Sequence, residues 1–396
     1  MHLIVNLQPL LTPLTGIGHY TRELTLALLD AGLRLDGVTG ARFEALDASH
    51  PLLASPGQGE AVPASPFDER GPLWQLARRY LRNPLTRRAY RWLCSERLQR
   101  QGRRLARQED CIYWEPNYVL LPWQGRSVVT VHDLSHERHP EYHPRERVDF
   151  LTRHLPESLQ RASRINVVSR FTANELQALH DVEASRIDIV PPGVSPRFFS
   201  PPSAEQAASL TRRLALPPRF LLSVGTLEPR KNLTRVMQAF AELPAADQRA
   251  APLLLAGMPG WGQQSHSREV AAALEAGTIR RLGYVADADL PALYALASGF
   301  VYVSCYEGFG MPVIEAMAAG TPVLTANVTA TAEVGEGAAL MVPPHDTQAI
   351  RQGLQRLLDE DHAERLAQGR RRAGYFSWPS ASQALQASLQ RAREDA

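Results

Sequence analysis

Short apolar runs rich in β-branched residues alternate along the chain with longer segments whose apolar positions follow a helical period. Residues 20–31 predict a helix, because apolar side chains recur at spacings of four, seven, eight and eleven residues, and Gly32 follows as its C-terminal cap. Continuous apolar strands between helices indicate parallel sheets covered on both faces, and hence an α/β fold. The predicted strands are residues 3–6, 128–131, 165–168, 187–190, 220–224, 253–256, 300–304, 323–325 and 340–342.

A proline-rich segment, residues 190–205, separates two sets of these strand and helix units. Proline removes backbone donors and holds the chain extended, as a link between domains requires. A new unit of strand, glycine and helix begins at Phe220. We therefore predict two doubly wound Rossmann-like domains, residues 1–195 and 205–375, that face a central ligand-binding cleft.

The composition disfavours several classes of protein. The 396 residues carry 43 basic and 41 acidic side chains, a net charge of +2, which argues against a nucleic-acid-binding protein. The cysteines Cys94, Cys111 and Cys305 are far apart and form neither a disulfide framework nor a metal-binding spacing. The N-terminus lacks a signal-peptide pattern and no apolar run reaches 18 residues, so we expect a cytoplasmic protein without a membrane-spanning helix.

Residues 78–107 depart from this charge balance, with eleven arginines from Arg78 to Arg107 against one acid, Glu96. Tyrosine and tryptophan side chains are interleaved with these arginines. One interpretation is a basic helix that lies on an anionic membrane surface. The alternative is a solvated helical face whose arginines pair with acids elsewhere.

A glycine-containing loop with Gly16 and Gly18 lies between the predicted strand 3–6 and the predicted helix 20–31. Glycines there allow backbone N–H groups to approach a phosphate or a sugar at a helix N-terminus. The loop is not a complete dinucleotide-binding motif, so a dinucleotide site is disfavoured. A tight turn that binds nothing is the alternative interpretation.

His132 and Asp133 follow the predicted strand 128–131 directly. They therefore lie at the carboxyl end of a buried strand, where α/β proteins bind ligands. A metal site is not predicted, because two prolines interrupt the helical spacing of three further histidines. The histidines are His136, His139 and His143, and the prolines are Pro140 and Pro144.

A basic pair, Arg230 and Lys231, lies between the end of a strand at Gly225 and a helix that begins near Asn232, which can cap it. Lys231 is the only lysine of the chain, since every other basic side chain is an arginine. Two cations before a helix N-terminus predict a site for a diphosphate. The alternative is an exposed basic pair in a loop.

Two carboxylates, Glu307 and Glu315, flank a glycine-rich turn that runs into a predicted helix over residues 312–319, capped by Gly320. The backbone amides of residues 309–311 are expected to form an anion- and hydroxyl-binding nest at the start of that helix. Glu307 on the loop and Glu315 on the helix could contact different parts of one extended ligand. The spacing alone does not exclude the acid and base pair of a hydrolase, but the nearby basic pair favours a phosphorylated ligand.

These motifs together resemble the retaining glycosyltransferases of family four, which have the GT-B fold. The glycine loop, the His-Asp pair, the Arg-Lys pair and the two glutamates seven residues apart occur in that family's order. The ending Phe-Ser-Trp at 376–378 also resembles the family, in which a C-terminal segment crosses back to the first domain. The resemblance therefore implies that residues 376–396 form a helix on the first domain.

The resemblance assigns roles to individual residues. Glu315 would bind the ribose, Glu307 the transferred sugar, Arg230 and Lys231 the diphosphate, and residues 283–285 the base. The implied donor-binding residues are Gly16, Gly225, Arg230, Lys231, Tyr284, Val285, Glu307, Gly308, Phe309, Gly310, Met311 and Glu315. The implied acceptor-binding residues are Gly18, His132 and Asp133, and the implied catalytic residues are Glu307, Arg230, Lys231 and His132.

The resemblance also implies the reaction: transfer of a hexose of the mannose or rhamnose type from a nucleotide diphosphate sugar, with retention and without a metal or other cofactor. Similarity to bacterial enzymes of surface polysaccharide synthesis favours a GDP-linked donor, with UDP and dTDP sugars left open. The acceptor would be a lipid-linked or growing glycan, as in the O-antigen of lipopolysaccharide, and the enzyme would be peripheral to the cytoplasmic membrane. The alternatives are a nucleotide-sugar 2-epimerase of the same fold and an inactive sugar-nucleotide-binding protein.

Overall fold

The computed structural model describes residues 1–11, 15–40, 42–54, 96, 99–100, 111–258, 260–261 and 267–394. The basic segment 78–107 therefore lies outside the described residues, apart from Glu96, Gln99 and Arg100. Whether it contacts a membrane stays a prediction.

Two sheets organise the described residues. The first has the strand order β3-β2-β1-β4-β5-β6-β7, and the second has the order β10-β9-β8-β11-β12-β13. All the pairs are parallel except β2 with β3. The strands are β1 (His2–Asn6), β2 (Arg34–Thr39), β3 (Arg42–Ala45), β4 (Cys111–Glu115), β5 (Ser127–Val131), β6 (Arg164–Val167), β7 (Ile187–Ile189), β8 (Leu221–Val224), β9 (Leu253–Ala256), β10 (Ile279–Gly283), β11 (Gly299–Tyr302), β12 (Val323–Ala326) and β13 (Leu340–Val342).

Helices cover both faces of these sheets, as expected of doubly wound domains. The α-helices of the described residues are α1 (Gly16–Asp30), α2 (Ser135–Arg138), α3 (Arg145–Arg161), α4 (Arg170–His180), α5 (Ala204–Leu214), α6 (Leu233–Ala241), α7 (Ala245–Ala250), α8 (Arg268–Glu275), α9 (Leu290–Leu296), α10 (Met311–Ala319), α11 (Thr329–Gly335), α12 (Thr347–Asp359), α13 (Ala363–Gly374) and α14 (Trp378–Glu394). The short 3-10 helices are Gln8–Leu10, Pro140–Tyr142, Ala184–Arg186, Pro196–Phe199 and Pro229–Lys231.

The nine strands predicted from apolar runs are all present, and the α/β class with two Rossmann-like domains is confirmed. Four strands were missing from the prediction: β2, β3, β4 and β10. In β2, β3 and β10, charged residues interrupt the apolar run, and β3 and β10 are edge strands with little apolar surface to bury. β3 also pairs antiparallel with β2, so the prediction of purely parallel sheets is wrong at this edge.

The predicted start of the first helix is also wrong. α1 begins at Gly16 rather than at residue 20, so Gly16 and Gly18 lie in its first turn and not in a preceding loop. Its C-terminal end agrees with the sequence, because Gly32 adopts a φ of +77° directly after the C-cap residue Ala31.

The chain crosses between the two domains at two segments that touch one another. The first crossing passes through Gly193, where a β-carbon would lie only 2.2 Å from the backbone nitrogen of Trp378. Beside it, the amide of Val194 donates to the carbonyl of Phe376 at 2.9 Å in the second crossing. α14 then packs against α1 and the first sheet, where Ser388 Oγ donates to Asn166 Oδ1 at 2.7 Å. The exact domain boundaries, 1–195 and 205–375, stay a prediction.

Candidate active site

The candidate site lies where the strand order of the second sheet reverses. β8 and β11 are neighbours there, and the loops that leave their carboxyl ends carry Arg230 and Lys231 in one case and Glu307 in the other. Such a reversal leaves a crevice at the carboxyl ends of the strands, where α/β proteins bind their ligands. The sequence motifs therefore meet at one place because of the sheet topology.

A strained backbone holds the basic pair in place. Arg230 and Lys231 form a single 3-10 turn that ends at Asn232, whose φ is +58°. The Nδ2 atom of Asn232 donates to the carbonyls of Val303 and Pro344, at 3.1 and 2.6 Å. The prediction that this side chain caps α6 is therefore wrong: it ties the basic loop to the ends of two other strands instead.

Glu307 accepts hydrogen bonds from both cations. Its Oε2 accepts from Nη1 of Arg230 at 2.7 Å, and its Oε1 accepts from Nζ of Lys231 at 2.7 Å and from the hydroxyl of Tyr302 at 2.9 Å. The residue is only 6% exposed. Its amide donates to Oγ1 of Thr329 at 3.2 Å, and Thr329 also has a positive φ of 57°. Strained backbone at such a position is typical of functional sites.

The charges of this cluster shift its pKa values in opposite directions. Burial raises the pKa of Glu307, but the charges of Arg230 and Lys231 outweigh burial and hold it below the ordinary glutamate value. Burial lowers the pKa of Lys231, and Glu307 opposes that shift only in part. For Arg230, burial acts downwards, but three carboxylates keep its pKa well above the usual value. The site is thus a buried cationic pair held by a carboxylate.

Arg230 has a second carboxylate partner in its own loop. Its Nε and Nη2 atoms donate to Oε1 of Glu228 at 3.1 and 2.7 Å, and Nη1 also donates to the carbonyl of Tyr306 at 3.0 Å. Glu228 is only 6% exposed. The guanidinium is therefore fixed in orientation before any ligand arrives.

Glu315 lies on α10, which begins directly after the glycine-rich turn. Gly310 is the N-cap residue with a φ of +102°, which favours glycine, and Gly320 ends the helix with a φ of +76°. Oε2 of Glu315 accepts from the hydroxyl of Tyr294 at 3.0 Å, and burial raises its pKa above the ordinary value. Its carboxylate bonds Tyr294, whereas that of Glu307 bonds the two cations.

The first domain contributes His132 and Asp133 after β5, as predicted from the sequence. Nε2 of His132 lies 2.8 Å from the carbonyl of Pro116, and its ring contacts Tyr20 edge-on at 5.1 Å between centroids. Burial lowers the pKa of His132, so it is neutral at pH 7. Oδ2 of Asp133 faces the second domain, 3.9 Å from Nη1 of Arg230.

The two domains are in close contact at these residues. A β-carbon on Gly308 would lie 1.7 Å from the carbonyl oxygen of His132, so only glycine allows this approach. A β-carbon on Gly16 would lie 3.9 Å from Sδ of Met311. Glu333 of α11 accepts from the amides of Arg170 and Phe171 at 3.2 and 3.0 Å, at the N-terminus of α4. The cleft is therefore closed around the site.

The remaining predicted residues lie around this cleft with different exposures. Gly225 has a φ of +146° at the end of β8, and Tyr284 at the end of β10 is 66% exposed, followed by the buried Val285. Gly18 is buried inside α1. Among the described residues, no three His, Cys, Asp or Glu side chains are grouped so as to hold a metal ion.

Sequence reasoning missed several partners that the structure brings to the site. Tyr302 and Tyr294 each donate a hydroxyl hydrogen to one of the two glutamates, and Glu228 and Thr329 hold Arg230 and the amide of Glu307. For Tyr302 the available signal was its position, because it is the last residue of β11 and the strand leads into the glycine-rich motif.

Comparisons with known proteins agree with this geometry. Residues 14–198 match the family described as Glycosyltransferase Family 4, and residues 211–373 match the family described as Glycosyl transferases group 1. The O-antigen chain mannosyltransferase B of Escherichia coli is 36% identical over 96% of this chain and 96% of that protein. The serotype-specific mannosyltransferase WbdA of the same species is 32% identical over 65% of this chain, and this match spans only 32% of WbdA.

A solved structure confirms the fold. HepE of Anabaena, crystallised in complex with UDP-glucose, superposes with a TM-score of 0.69 at 17% identity and covers 98% of this chain and 99% of that one. Two facing Rossmann-like domains with a cationic site between them are the architecture of a GT-B glycosyltransferase. The chain belongs to the glycosyltransferases of family four. In the described part of the chain, the helices are too short or too polar to span a bilayer.

Proposed function

We propose that this glycosyltransferase moves mannose from GDP-mannose to a growing O-antigen glycan carried on a membrane lipid, with retention of configuration. The observation that carries the proposal is the buried cluster of Arg230, Lys231 and Glu307 at the switch point of the second sheet. The choice of mannose and of O-antigen rests on the similarity to O-antigen chain mannosyltransferase B over nearly the full length of both chains.

The cationic pair stabilises the leaving group. Breaking the bond between the anomeric carbon and the phosphate oxygen leaves the electron pair, and so a negative charge, on the diphosphate. Arg230, Lys231 and the N-terminus of α10 supply positive potential there, and their orientation is already fixed by Glu228, Glu307 and Tyr302. A preorganised donor of this kind is worth roughly 2.7–4 kcal/mol of barrier.

Retention follows from attack on the same face that the diphosphate leaves. In this step the acceptor hydroxyl oxygen bonds to the anomeric carbon, while the departing phosphate oxygen takes the hydroxyl proton. No side chain needs to form a covalent sugar intermediate in such a step. Arg230 and Lys231 supply the positive charge that a metal ion supplies in other transferases, so we propose a reaction without a metal.

The two glutamates bind two other parts of the nucleotide sugar. Glu315, whose carboxylate bonds Tyr294, accepts hydrogen bonds from the ribose hydroxyls. Glu307, with the amides of residues 308–311, is placed beside the transferred sugar. The base lies against residues 283–285, where Tyr284 is exposed at the end of β10.

The acceptor approaches from the first domain. His132 and Asp133 face the cleft there, and Gly18 lies in the first turn of α1. A lipid-linked acceptor requires the enzyme to work at the cytoplasmic face of a membrane. The arginine-rich segment 78–107 would supply the attraction to anionic lipids.

A binding screen followed by a transfer assay tests the proposal. Thermal unfolding is measured with GDP, UDP, dTDP and ADP, and a nucleotide at a hundred times its dissociation constant adds about 2.7 kcal/mol of apparent stability. We expect GDP to stabilise the protein most. NMR of the product with GDP-mannose and a lipid-linked mannoside then gives the anomeric configuration, and an inverted product contradicts the mechanism. Interconversion of the donor without an acceptor favours the 2-epimerase.

A further inference from the structure

A carboxylate of the first domain faces the phosphate-binding arginine of the second. Asp133 follows β5, and its Oδ2 atom lies 3.9 Å from Nη1 of Arg230. This distance is too long for a hydrogen bond, so Asp133 acts on Arg230 through its charge and does not accept a hydrogen bond from it. Its side chain is 14% exposed, and solvent screens the interaction only in part.

A buried serine and histidine hold Asp133 in this position. Oδ1 of Asp133 accepts from the amide of Ser135 at 3.1 Å and from its hydroxyl at 2.8 Å. Oγ of Ser135 in turn lies 2.8 Å from Nε2 of His143. Because the hydroxyl hydrogen is donated to Asp133, His143 must be the donor in this pair. Ser135 is 1% exposed and His143 is 9% exposed.

Asp133 adds a third carboxylate to the surroundings of Arg230. Arg230 already bonds two carboxylates of its own domain, Glu228 and Glu307, and Glu307 also neutralises Lys231. Arg230 therefore faces three carboxylates, of which only Asp133 comes from the other domain, where Arg147 also acts on it. Burial raises the pKa of Asp133, but the charges of Arg230 and Arg147 and the hydrogen bonds from Ser135 lower it by more, so this carboxylate is ionised in the closed cleft.

We propose that Asp133 weakens the hold of the closed site on the spent nucleoside diphosphate more than its hold on the sugar donor. The inference rests on the proposed function, in which Arg230 contacts the diphosphate. In a nucleotide sugar each phosphate is linked by one ester and one anhydride bond and carries one charge. After transfer the terminal phosphate gains a second ionisable oxygen, so the product carries about one negative charge more. The repulsion by Asp133 is therefore stronger for the product, and Ser135 and His143 are positioning residues for it.

The test compares affinities in the absence of acceptor, so that any contact of Asp133 with the acceptor plays no part. Calorimetry at pH 8 gives the dissociation constants of the nucleoside diphosphate that stabilises the wild type, GDP on our proposal, and of its nucleotide sugar. Asp133→Asn keeps the size of the side chain and removes its charge. We expect about tenfold tighter binding of the diphosphate and only about threefold tighter binding of the donor.

Matched variants separate charge from structure. Asp149→Asn removes an exposed carboxylate, 70% accessible, from the same domain and is expected to leave the ratio of the two affinities unchanged. Ser135→Ala is expected to shift the ratio as Asp133→Asn does but less, and Ser135→Thr to restore it. Ser158→Ala, which removes a buried hydroxyl from α3, is expected to lower the melting temperature without changing the ratio.

The outcomes distinguish this inference from the proposed function. If Asp133→Asn raises the affinity for both ligands equally, or lowers the affinity for the diphosphate, the inference is overturned. If Ser135→Ala and Ser135→Thr leave the same ratio, the positioning role is overturned. If Lys231→Ala does not weaken the diphosphate at all, the phosphate site itself is wrong, and the proposed function fails together with the inference.

Discussion

The Nζ atom of Lys231 lies 2.7 Å from Oε1 of Glu307, so the ammonium of the β8 loop is fixed by a carboxylate from the β11 loop. Tyr302, the last residue of β11, bonds both groups. The single lysine of the chain is thus oriented by partners that come from a neighbouring strand of the sheet. An ammonium fixed in this way needs little reorganisation when charge develops on a leaving phosphate.

Lys231→Ala is expected to lower kcat for mannose transfer about 100- to 1,000-fold, because it removes one preorganised charge from the leaving group. The melting temperature should change little, since Glu307 keeps Arg230 and Tyr302 as partners. Steady-state kinetics with GDP-mannose and calorimetry of unfolding measure both quantities. Arg213→Ala, which removes an exposed cation from the same domain, is the control. Turnover near that of the wild type would contradict the assignment of Lys231.

Glu315 is expected to make nucleotide binding sensitive to acid. Its pKa is raised by burial, so its carboxylate takes up a proton at a higher pH than an ordinary glutamate. Only the ionised form accepts hydrogen bonds from both ribose hydroxyls, and GDP affinity should fall as the pH is lowered through this pKa. Calorimetric titrations between pH 8 and pH 5 should show the fall in the wild type and a flatter profile in Glu315→Gln. Equal profiles would argue against the ribose contact.

Glu333 is expected to stabilise the closed cleft. Its carboxylate accepts from the amides of Arg170 and Phe171, so it caps a helix of the other domain. Glu333→Ala removes a cap worth about 1 kcal/mol and should raise the KM for the donor on the order of fivefold. Small-angle scattering should give a larger radius of gyration for this variant. Glu336→Ala, 71% exposed and one residue beyond α11, should change neither quantity.

Asn232 is expected to tolerate glycine better than aspartate. Glycine adopts the φ of +58° readily but loses the two hydrogen bonds to Val303 and Pro344. Aspartate cannot donate at all and places a charge against two carbonyls, which should cost about 3 kcal/mol of unfolding free energy. Urea unfolding of Asn232→Gly and Asn232→Asp measures the difference. The reverse order of stability would contradict the role of the side-chain amide.

Glu115 is expected to make the folded protein less stable as the pH rises towards 7. Burial raises its pKa from 4.5 to about 7, so the folded state binds this proton more tightly than the unfolded state. The free energy of unfolding therefore falls as the pH rises from about 4.5 to about 7. Glu115→Gln should lose about 2 kcal/mol less than the wild type between pH 5 and pH 8. Glu157→Gln, at an exposed carboxylate, should behave as the wild type does.

In the second domain, the residues of the site were predicted better from the sequence than the hydrogen bonds between them. Arg230, Lys231 and Glu307 were placed on the correct loops, because each follows an apolar strand that the pattern reveals. The hydrogen bonds between them were not predicted, since Lys231 and Glu307 are 76 residues apart and meet only through the strand order. The role of Asn232 was predicted wrongly for the same reason: its hydrogen-bond acceptors lie at the ends of strands that are distant in the sequence.

In the first domain the prediction depended on how apolar each strand is. β5 is wholly buried and mostly apolar, so His132 and Asp133 were placed correctly at its end. The edge strand β3 bears charged side chains and pairs antiparallel, which a search for buried parallel strands does not detect. The hydrogen bonds that join His143 to Ser135 and Ser135 to Asp133 were not predicted, because the sequence pattern shows only a spacing of histidines there.

The contact between Gly193 and Trp378 gives the two domains a common pivot. Both connections pass through this point and are hydrogen-bonded beside it, so a change here acts on both links between the domains at once. A side chain at position 193 would push the two connections apart and alter the width of the cleft between the domains. How the two halves of the site meet is thus set in part at a position outside the loops that carry Arg230, Lys231 and Glu307.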